Sequence, residues 1–260
     1  MGHGRGQTAK QPAFSGDGTR LAFAADNTGI FQIYVMDLAS GVRTQITTEA
    51  TGATYPSWSP NGKSIAYVTG DPEDKYTPTT VDHGNTSSVA MLVDVSTLQT
   101  SVLSTAKQPA FTSSAFATDK LLLVSNSVSV TGIHTDTLAQ YPAAPEYGTE
   151  EGQSSPSVSP DGSQFVLSGG CGTQNQLFVA RVDGTTGKIC EHATPLAANS
   201  DGLITASWGP GGYIAAETSH HDIVLVPSDG SAGVKVLVNT TQPERNPAFA
   251  PASVALDCTK

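Results

Sequence analysis

Three basic side chains stand in the same local setting, each two residues before a Pro-Ala-Phe tripeptide. They are Lys10, Lys107 and Arg245, and they are followed by Gln11, Gln108 and Asn246. A cation beside an amide donor is suited to hold a carboxylate or another small anion. Because the chain has only 13 basic residues in 260, their recurrence at this place favours a ligand-binding role. The alternative is an ordinary solvated position, above all for Lys10 near the start of the chain.

The tripeptide belongs to a longer motif that recurs along the chain. "PAFSGDGTRLAFAAD" starts at Pro12, "PSWSPNGKSIAYVTG" at Pro56 and "PSVSPDGSQFVLSGG" at Pro156. A fourth copy, "ASWGPGGYIAAETSH", starts at Ala206, and weaker copies start at Pro109 and Pro247. Their separation of about 40–50 residues is typical of propeller blades, each built from four strands.

Each repeat predicts four antiparallel strands, because runs of Val, Ile, Leu, Phe and Tyr alternate with turn residues. The Pro-Asn-Gly or Pro-Asp-Gly sequence favours a type I turn after the first strand. We therefore predict one all-β domain over residues 1–260, a six-bladed propeller of four-stranded blades. The blades are expected at about 11–50, 54–105, 107–142, 154–197, 203–240 and 245–258.

The blade order assigns the candidate residues to one face. The first strand of a blade starts where the loop between its second and third strands lies, so the three cations are expected at the mouth of the central channel. The aromatic residue of each motif is expected to pack between blades. These residues are Phe14, Trp58, Phe111, Trp208 and Phe249.

The motif P-x-[WF]-S-P-[DN]-G, followed by strands such as "RLAFAA" and "QIYVMD", resembles the repeats of TolB-type β-propellers. Residues 11–47 match that pattern almost throughout. The resemblance implies six blades and a bacterial protein exported to the periplasm or outside the cell. The sixth repeat supplies only two strands, so we expect residues 4–9 to close that blade. No room is left for the additional N-terminal domain of TolB, and we expect a TolB-like protein rather than TolB itself.

Composition excludes several classes of partner. The formal net charge of −10 disfavours nucleic acid. No apolar run reaches the ~20 residues that span a bilayer, and "MGHGRGQTAK" lacks the apolar stretch of a signal peptide, so we expect either a cytosolic chain or a mature form whose leader has been removed. We expect a monomer.

Folding the last strand of the fourth blade back along the third separates Cys171 from Cys190, so we expect no disulfide between them.

No catalytic residue, metal ligand or cofactor site is predicted. A Gly-x-Ser-x-Gly nucleophile motif is missing, and the acidic loop 71–88 lacks a calcium-binding pattern. His220 and His221 are adjacent, so in a strand they would point to opposite faces. The sequence favours a non-enzymatic propeller that presents its channel mouth to a protein or a small anionic ligand. The alternative is a polysaccharide lyase or another metal-assisted enzyme on carbohydrates, since some related propellers place a metal and histidines around the channel.

Overall fold

The strands form five antiparallel sheets of four strands, and in every sheet neighbouring strands are consecutive in the chain. The computed structural model describes residues 8–69, 88–104, 111–126, 130–142, 151–170, 176–186, 188, 194–197, 202–231, 233–240 and 247–250. Each sheet is one blade, and the blades are numbered one to five in chain order. In these residues the one helical element is a 3-10 turn at Pro210–Gly212.

The blades have the following strands. Blade one contains β1 (Ala9–Phe14), β2 (Arg20–Ala25), β3 (Gln32–Asp37) and β4 (Arg43–Gln45). Blade two contains β5 (Ala53–Trp58), β6 (Ser64–Thr69), β7 (Ala90–Asp94) and β8 (Thr100–Val102). Blade three contains β9 (Phe111–Phe116), β10 (Leu121–Asn126), β11 (Val130–His134) and β12 (Gln140–Pro142). Blade four contains β13 (Glu151–Val158), β14 (Gln164–Gly170), β15 (Gln176–Arg181) and β16 (Thr194–Ala197). Blade five contains β17 (Leu203–Trp208), β18 (Tyr213–Thr218), β19 (Ile223–Pro227) and β20 (Lys235–Val238).

The turn between the first and second strands repeats one hydrogen-bonding scheme in blades one, two and four. Its serine is Ser15, Ser59 or Ser159. The hydroxyl donates to the Asp or Asn two residues later and accepts the backbone N–H five residues later. The glycine that ends the turn has a positive φ of 66° to 74°, which glycine adopts without steric cost. The Ser-Pro-Asp-Gly pattern therefore encodes this turn directly.

Serine hydroxyls on the first strands join neighbouring blades, and we call these contacts seam hydrogen bonds. The N–H of Phe116 donates to Ser57 Oγ over 3.2 Å, and the N–H of Trp208 donates to Ser157 Oγ over 2.8 Å. At the seam between blades one and two, Ala13 replaces the serine, and its carbonyl accepts from the indole N–H of Trp58 over 3.1 Å. Each of these contacts thus fixes the height of one first strand against the preceding one.

Apolar packing fills the space between the blades. Trp58 is buried with Ala22, Ile33 and Ile65 in a cluster shared by blades one and two. The Arg20 guanidinium lies over the Trp58 ring at 4.4 Å and donates to the carbonyl of Gly62. The aromatic position of the motif therefore serves packing between blades at this seam.

The expectation of six blades is wrong, because the described residues form five. Residues 247–250 carry the motif, and the N–H of Phe249 donates to Ser207 Oγ over 3.2 Å, but this segment is not a strand. The motif encodes contact with the preceding blade, whereas a blade also needs its three partner strands. One copy of the motif therefore does not by itself indicate a blade, although the prediction of six blades counted each copy as one.

The expectation that residues 4–9 close the last blade is wrong for Ala9, which belongs to blade one. Ala9 pairs with Ala25, and Thr8 exchanges hydrogen bonds with Asp26, so both residues extend the first strand of blade one. Residues 1–7 and 251–260, on which the rest of that expectation depends, lie outside the described residues. Cys171 and Cys190 lie outside them too.

Blade three has a different register from the predicted one. Phe116 pairs with Leu122 as Trp58 pairs with Ile65, so Phe116 and not Phe111 holds the aromatic position. The sequence "KQPAF" at 107–111 is identical to residues 10–14. However, only its last residue, Phe111, belongs to β9, and the other four come before the strand. The positions in β9 that correspond to Lys10 and Gln11 are therefore Thr112 and Ser113.

Gly162 offers a test of the packing between blades. It has a φ of 74°, and a β-carbon there would overlap the carbonyl oxygen of Ala117 in blade three. We expect Gly162→Ala to cost about 2–5 kcal/mol, from left-handed strain plus overpacking. Gly41→Ala is the matched control, because Gly41 has a φ of 71° and open space around it. Denaturant unfolding should show a much smaller loss for the control, and equal losses would contradict the overlap.

The turns predict loss of stability in acid. The Ser15 hydroxyl and the Thr19 N–H lower the pKa of Asp17 to about 2, below the ~3.9 of an unfolded chain. A lowered folded pKa contributes stability that is present above pH ~4 and is lost as the pH falls towards about 2. Asp17→Asn should flatten the pH dependence of unfolding in this range and keep the turn, since blade two has Asn61 there. An unchanged slope between pH 4 and 2 would count against this explanation.

Candidate functional site

A cavity of about 110 Å³ lies where the first strands of the blades converge. Its lining comes from equivalent positions of the motif, two and three residues before the aromatic position. The lining residues are Gln11, Pro12, Tyr55, Pro56, Ser113, Ser114, Pro156, Thr205, Ala206 and Pro247. The cavity therefore marks the central channel, and it independently supports the corrected register of blade three.

Strained backbone shapes two of these strands. Gln11 and Tyr55 have φ of 57° and 53°, and each precedes a proline and lies within a register shift of its strand. Residues other than glycine adopt this left-handed backbone conformation at a cost of about 1–3 kcal/mol, and such residues cluster at functional sites. Gln11 is 7% exposed, and its Oε1 accepts the N–H of Tyr55 over 2.9 Å. This hydrogen bond links blades one and two at the channel, next to the two strained residues.

Ser113 is the polar group of the cavity that stands out. Its side chain is 3% exposed, and its hydroxyl oxygen has no hydrogen-bond partner within the part of the chain that the structure describes. The neighbouring Ser114 differs, since its hydroxyl donates to the carbonyl of Tyr55 over 3.4 Å. A buried hydroxyl without a partner costs about 1–3 kcal/mol, so Ser113 is kept in the wall at a cost in stability.

Blade five places a buried carboxylate behind the channel wall. Glu217 is 3% exposed and pairs with Thr205 across β17 and β18. The Thr205 hydroxyl donates to Glu217 Oε2 over 3.0 Å, and His221 Nδ1 lies 2.7 Å from Oε1. The backbone of His221 has a positive φ of 67° where its side chain contacts this carboxylate. Glu217 is not among the residues predicted from sequence, although a lone acid within the apolar strand "YIAAET" indicates a buried carboxylate that needs partners.

A second polar network fixes the loop that leads into blade two. The Gln32 amide donates to the carbonyl of Glu49 and accepts from Thr47 and from the Glu49 N–H. The Tyr67 hydroxyl donates to the Glu49 carboxylate over 2.5 Å. Burial, and then the Glu49 carboxylate, raise the pKa of the Tyr67 phenol, so Tyr67 stays protonated. The network makes a structural role the best account of these residues.

The predicted site residues are only partly within the described chain. Gln11 lines the cavity, whereas Lys10 is not among the lining residues. The Lys10 ammonium instead lies 4.2 Å from the centre of the Phe31 ring, a cation–π contact. Lys107, Gln108, Arg245 and Asn246 lie outside the described residues, so their convergence at the mouth stays a prediction.

The described ranges contain neither a cluster of metal-ligating side chains nor a membrane-spanning helix. No three His, Cys, Asp or Glu side chains lie close enough together there to share a metal ion. The same residues include no helix with the length and hydropathy needed to cross a membrane.

The Thr205 hydroxyl should stabilise the fold through Glu217. Thr205→Val keeps the shape of the side chain but removes a donor from a buried carboxylate, and we expect a loss of about 1–3 kcal/mol. In a Glu217→Gln background the same change should cost less, because a neutral amide needs that donor less. Urea unfolding of the two single variants and the double variant measures the coupling. Additive effects would show that the hydroxyl and the carboxylate act independently.

Comparisons with known proteins agree with this architecture. A family model described as "TolB beta propeller domain" matches residues 4–91. TolB from Acinetobacter baumannii is 18% identical with a TM-score of 0.69, and the match covers 94% of this chain and 58% of that one. The putative TolB from Agrobacterium tumefaciens is 16% identical with a TM-score of 0.69, over 95% of this chain and 87% of that one. An oligogalacturonate lyase in complex with manganese is 14% identical with a TM-score of 0.52, over 95% and 85%.

These structural likenesses concern the fold alone, because every identity is low. This chain spans 58% of the length of the Acinetobacter baumannii TolB. No curated protein sequence matches it. In its fold, and in sequence over residues 4–91, the chain is similar to TolB-type β-propellers, which confirms the resemblance seen in its repeats.

Proposed function

We propose that this chain is a non-enzymatic binding propeller whose channel mouth receives an acidic side chain of a partner protein or a small anionic ligand. The observation that carries the binding role is the channel cavity itself. Its wall contains a buried serine hydroxyl without a partner and two residues held in strained backbone. Both features cost stability, and a site that binds a ligand is the usual reason for keeping them.

The anionic character of the ligand rests on the cations. The Phe31 ring lies against the Lys10 ammonium, which places this cation on β1 beside Gln11. The amide oxygen of Gln11 accepts from the N–H of Tyr55, so the amino group is the end of this side chain that carries donors. Lys107, Arg245, Gln108 and Asn246 would add to this charge and these donors under the proposal.

The resemblance to TolB-type propellers supports the remaining parts of the proposal. It favours a bacterial protein of the periplasm or the extracellular space, acting as a monomer on a protein partner. The alternative, a lyase acting on polysaccharides, has in its favour a distant structural neighbour whose name includes an oligogalacturonate lyase with manganese. No arrangement of the described residues favours that alternative.

Acetate, as a model of an acidic side chain, tests the proposal. Titration followed by amide NMR should shift signals around Lys10 and Gln11 saturably, and Lys10→Ala should weaken acetate binding about 3- to 10-fold. Lys120→Ala is the matched control, because Lys120 is 70% exposed and paired with Asp136 on a turn between strands. The binding should also weaken with added salt.

Two results would count against the proposal. One is acetate binding that the two lysine variants reduce equally. The other is a set of saturable shifts confined to residues away from β1 and the channel.

A further inference from the structure

Asn61 and Gly62 form the one Asn-Gly pair in the sequence, and they lie in the turn between β5 and β6 of blade two. Asn61 is exposed to solvent. A glycine after an asparagine lets its backbone nitrogen attack the side-chain amide, because no β-carbon hinders the approach. This pair is therefore a place where water can modify the chain without an enzyme.

The attack needs a backbone proton that the closed turn holds. A base must first remove the amide proton of Gly62, but this N–H donates to the carbonyl of Ser59 over 2.8 Å, and Ser59 is 1% exposed. The carbonyl of Gly62 accepts from the Arg20 guanidinium of blade one over 2.8 Å. Loss of the Gly62 proton therefore requires the turn to open.

The Asn61 side chain is held by the same turn. Its Oδ1 accepts from the Ser59 hydroxyl and from the N–H of Lys63, both over 2.9 Å. These hydrogen bonds fix the amide group that the Gly62 nitrogen would attack. The two reacting groups are thus both engaged as long as the turn stays closed.

We propose that Asn61 is a site of spontaneous deamidation, which the closed turn protects and which reacts when the turn opens. The Gly62 nitrogen loses its proton and forms a bond to Asn61 Cγ, and the bond from Cγ to the side-chain nitrogen breaks. That nitrogen takes up a proton and leaves as ammonia. Water then opens the resulting cyclic imide at either carbonyl and gives aspartate or isoaspartate. This site is independent of the proposed binding function.

The fold distinguishes the two products. Asp17 and Asp161 occupy the equivalent position in blades one and four, and each accepts from the serine hydroxyl and from the N–H two residues later. Aspartate at position 61 therefore suits the turn. Isoaspartate lengthens the main chain by a methylene group, which disturbs the hydrogen bonds between Ser59 and Ser64. We expect chains with aspartate to refold more completely than chains with isoaspartate.

Two rates measured on the whole chain test the proposal, the mass gain of the peptide that contains Asn61 and the amide hydrogen exchange of Gly62. In mildly alkaline buffer the gain of about one dalton should be faster in urea than in native buffer. Ser59→Ala removes a hydrogen bond that closes the turn, and it should accelerate both rates about 3- to 10-fold in native buffer. Ser159→Ala is the matched control, because Ser159 makes the same hydrogen bonds in blade four, and it should leave both rates unchanged.

Three results would overturn the proposal. One is a mass gain at Asn61 that is equally fast in urea and in native buffer, and another is an equal effect of the two serine variants. The third is faster exchange of Gly62 in Ser59→Ala without a faster mass gain, because loss of the Gly62 proton would then not control the reaction. If Ser59→Ala does not fold, the comparison of the unaltered chain in urea and in native buffer still decides.

Discussion

The seam hydrogen bonds are the constraint on which the rest of the molecule depends. A propeller blade has no covalent link to its neighbour except the chain at one end, so the height of each blade must be set by contacts along its innermost strand. Ser57, Ser157 and Ser207 supply those contacts by accepting a backbone N–H from the segment that follows. Because the seams align the first strands, equivalent residues face one another across the channel.

That alignment explains why polar groups sit in so narrow a space. Gln11, Ser113 and Thr205 occupy the same motif position in different blades, and the seams bring them to one level. Gln11 is held by the N–H of Tyr55 in the neighbouring blade, and Thr205 is held by Glu217 in its own blade. The channel wall is thus a thin polar layer held by hydrogen bonds within and between blades, while the apolar clusters between blades carry the folding free energy.

The sequence predicted what is local and failed where geometry is long-range. The Ser-Pro-Asp-Gly turns and the alternating strands follow from neighbouring residues, and they appear as expected. Blade three failed because "KQPAF" imitates the motif of blade one, while the strand that packs carries Phe116 instead. The blade count failed because a motif near Pro247 cannot show whether partner strands pair with it. The contact between Glu217 and His221 also depends on a loop geometry that spacing alone does not encode.

The prolines of the channel have a consequence for the way a partner can be recognised. Pro12, Pro56 and Pro156 stand on the innermost strands, at the sheet edges that face the channel, and Pro247 lines the channel beside them. An incoming peptide cannot extend such an edge by β-augmentation, because that mode needs a continuous row of backbone donors. Under the proposed function, a partner would therefore be recognised through its side chains, one residue at a time, and its own backbone conformation would be left unconstrained. The propeller would accept a loop tip or a chain terminus equally well, provided that the residue at its end has the right chemistry.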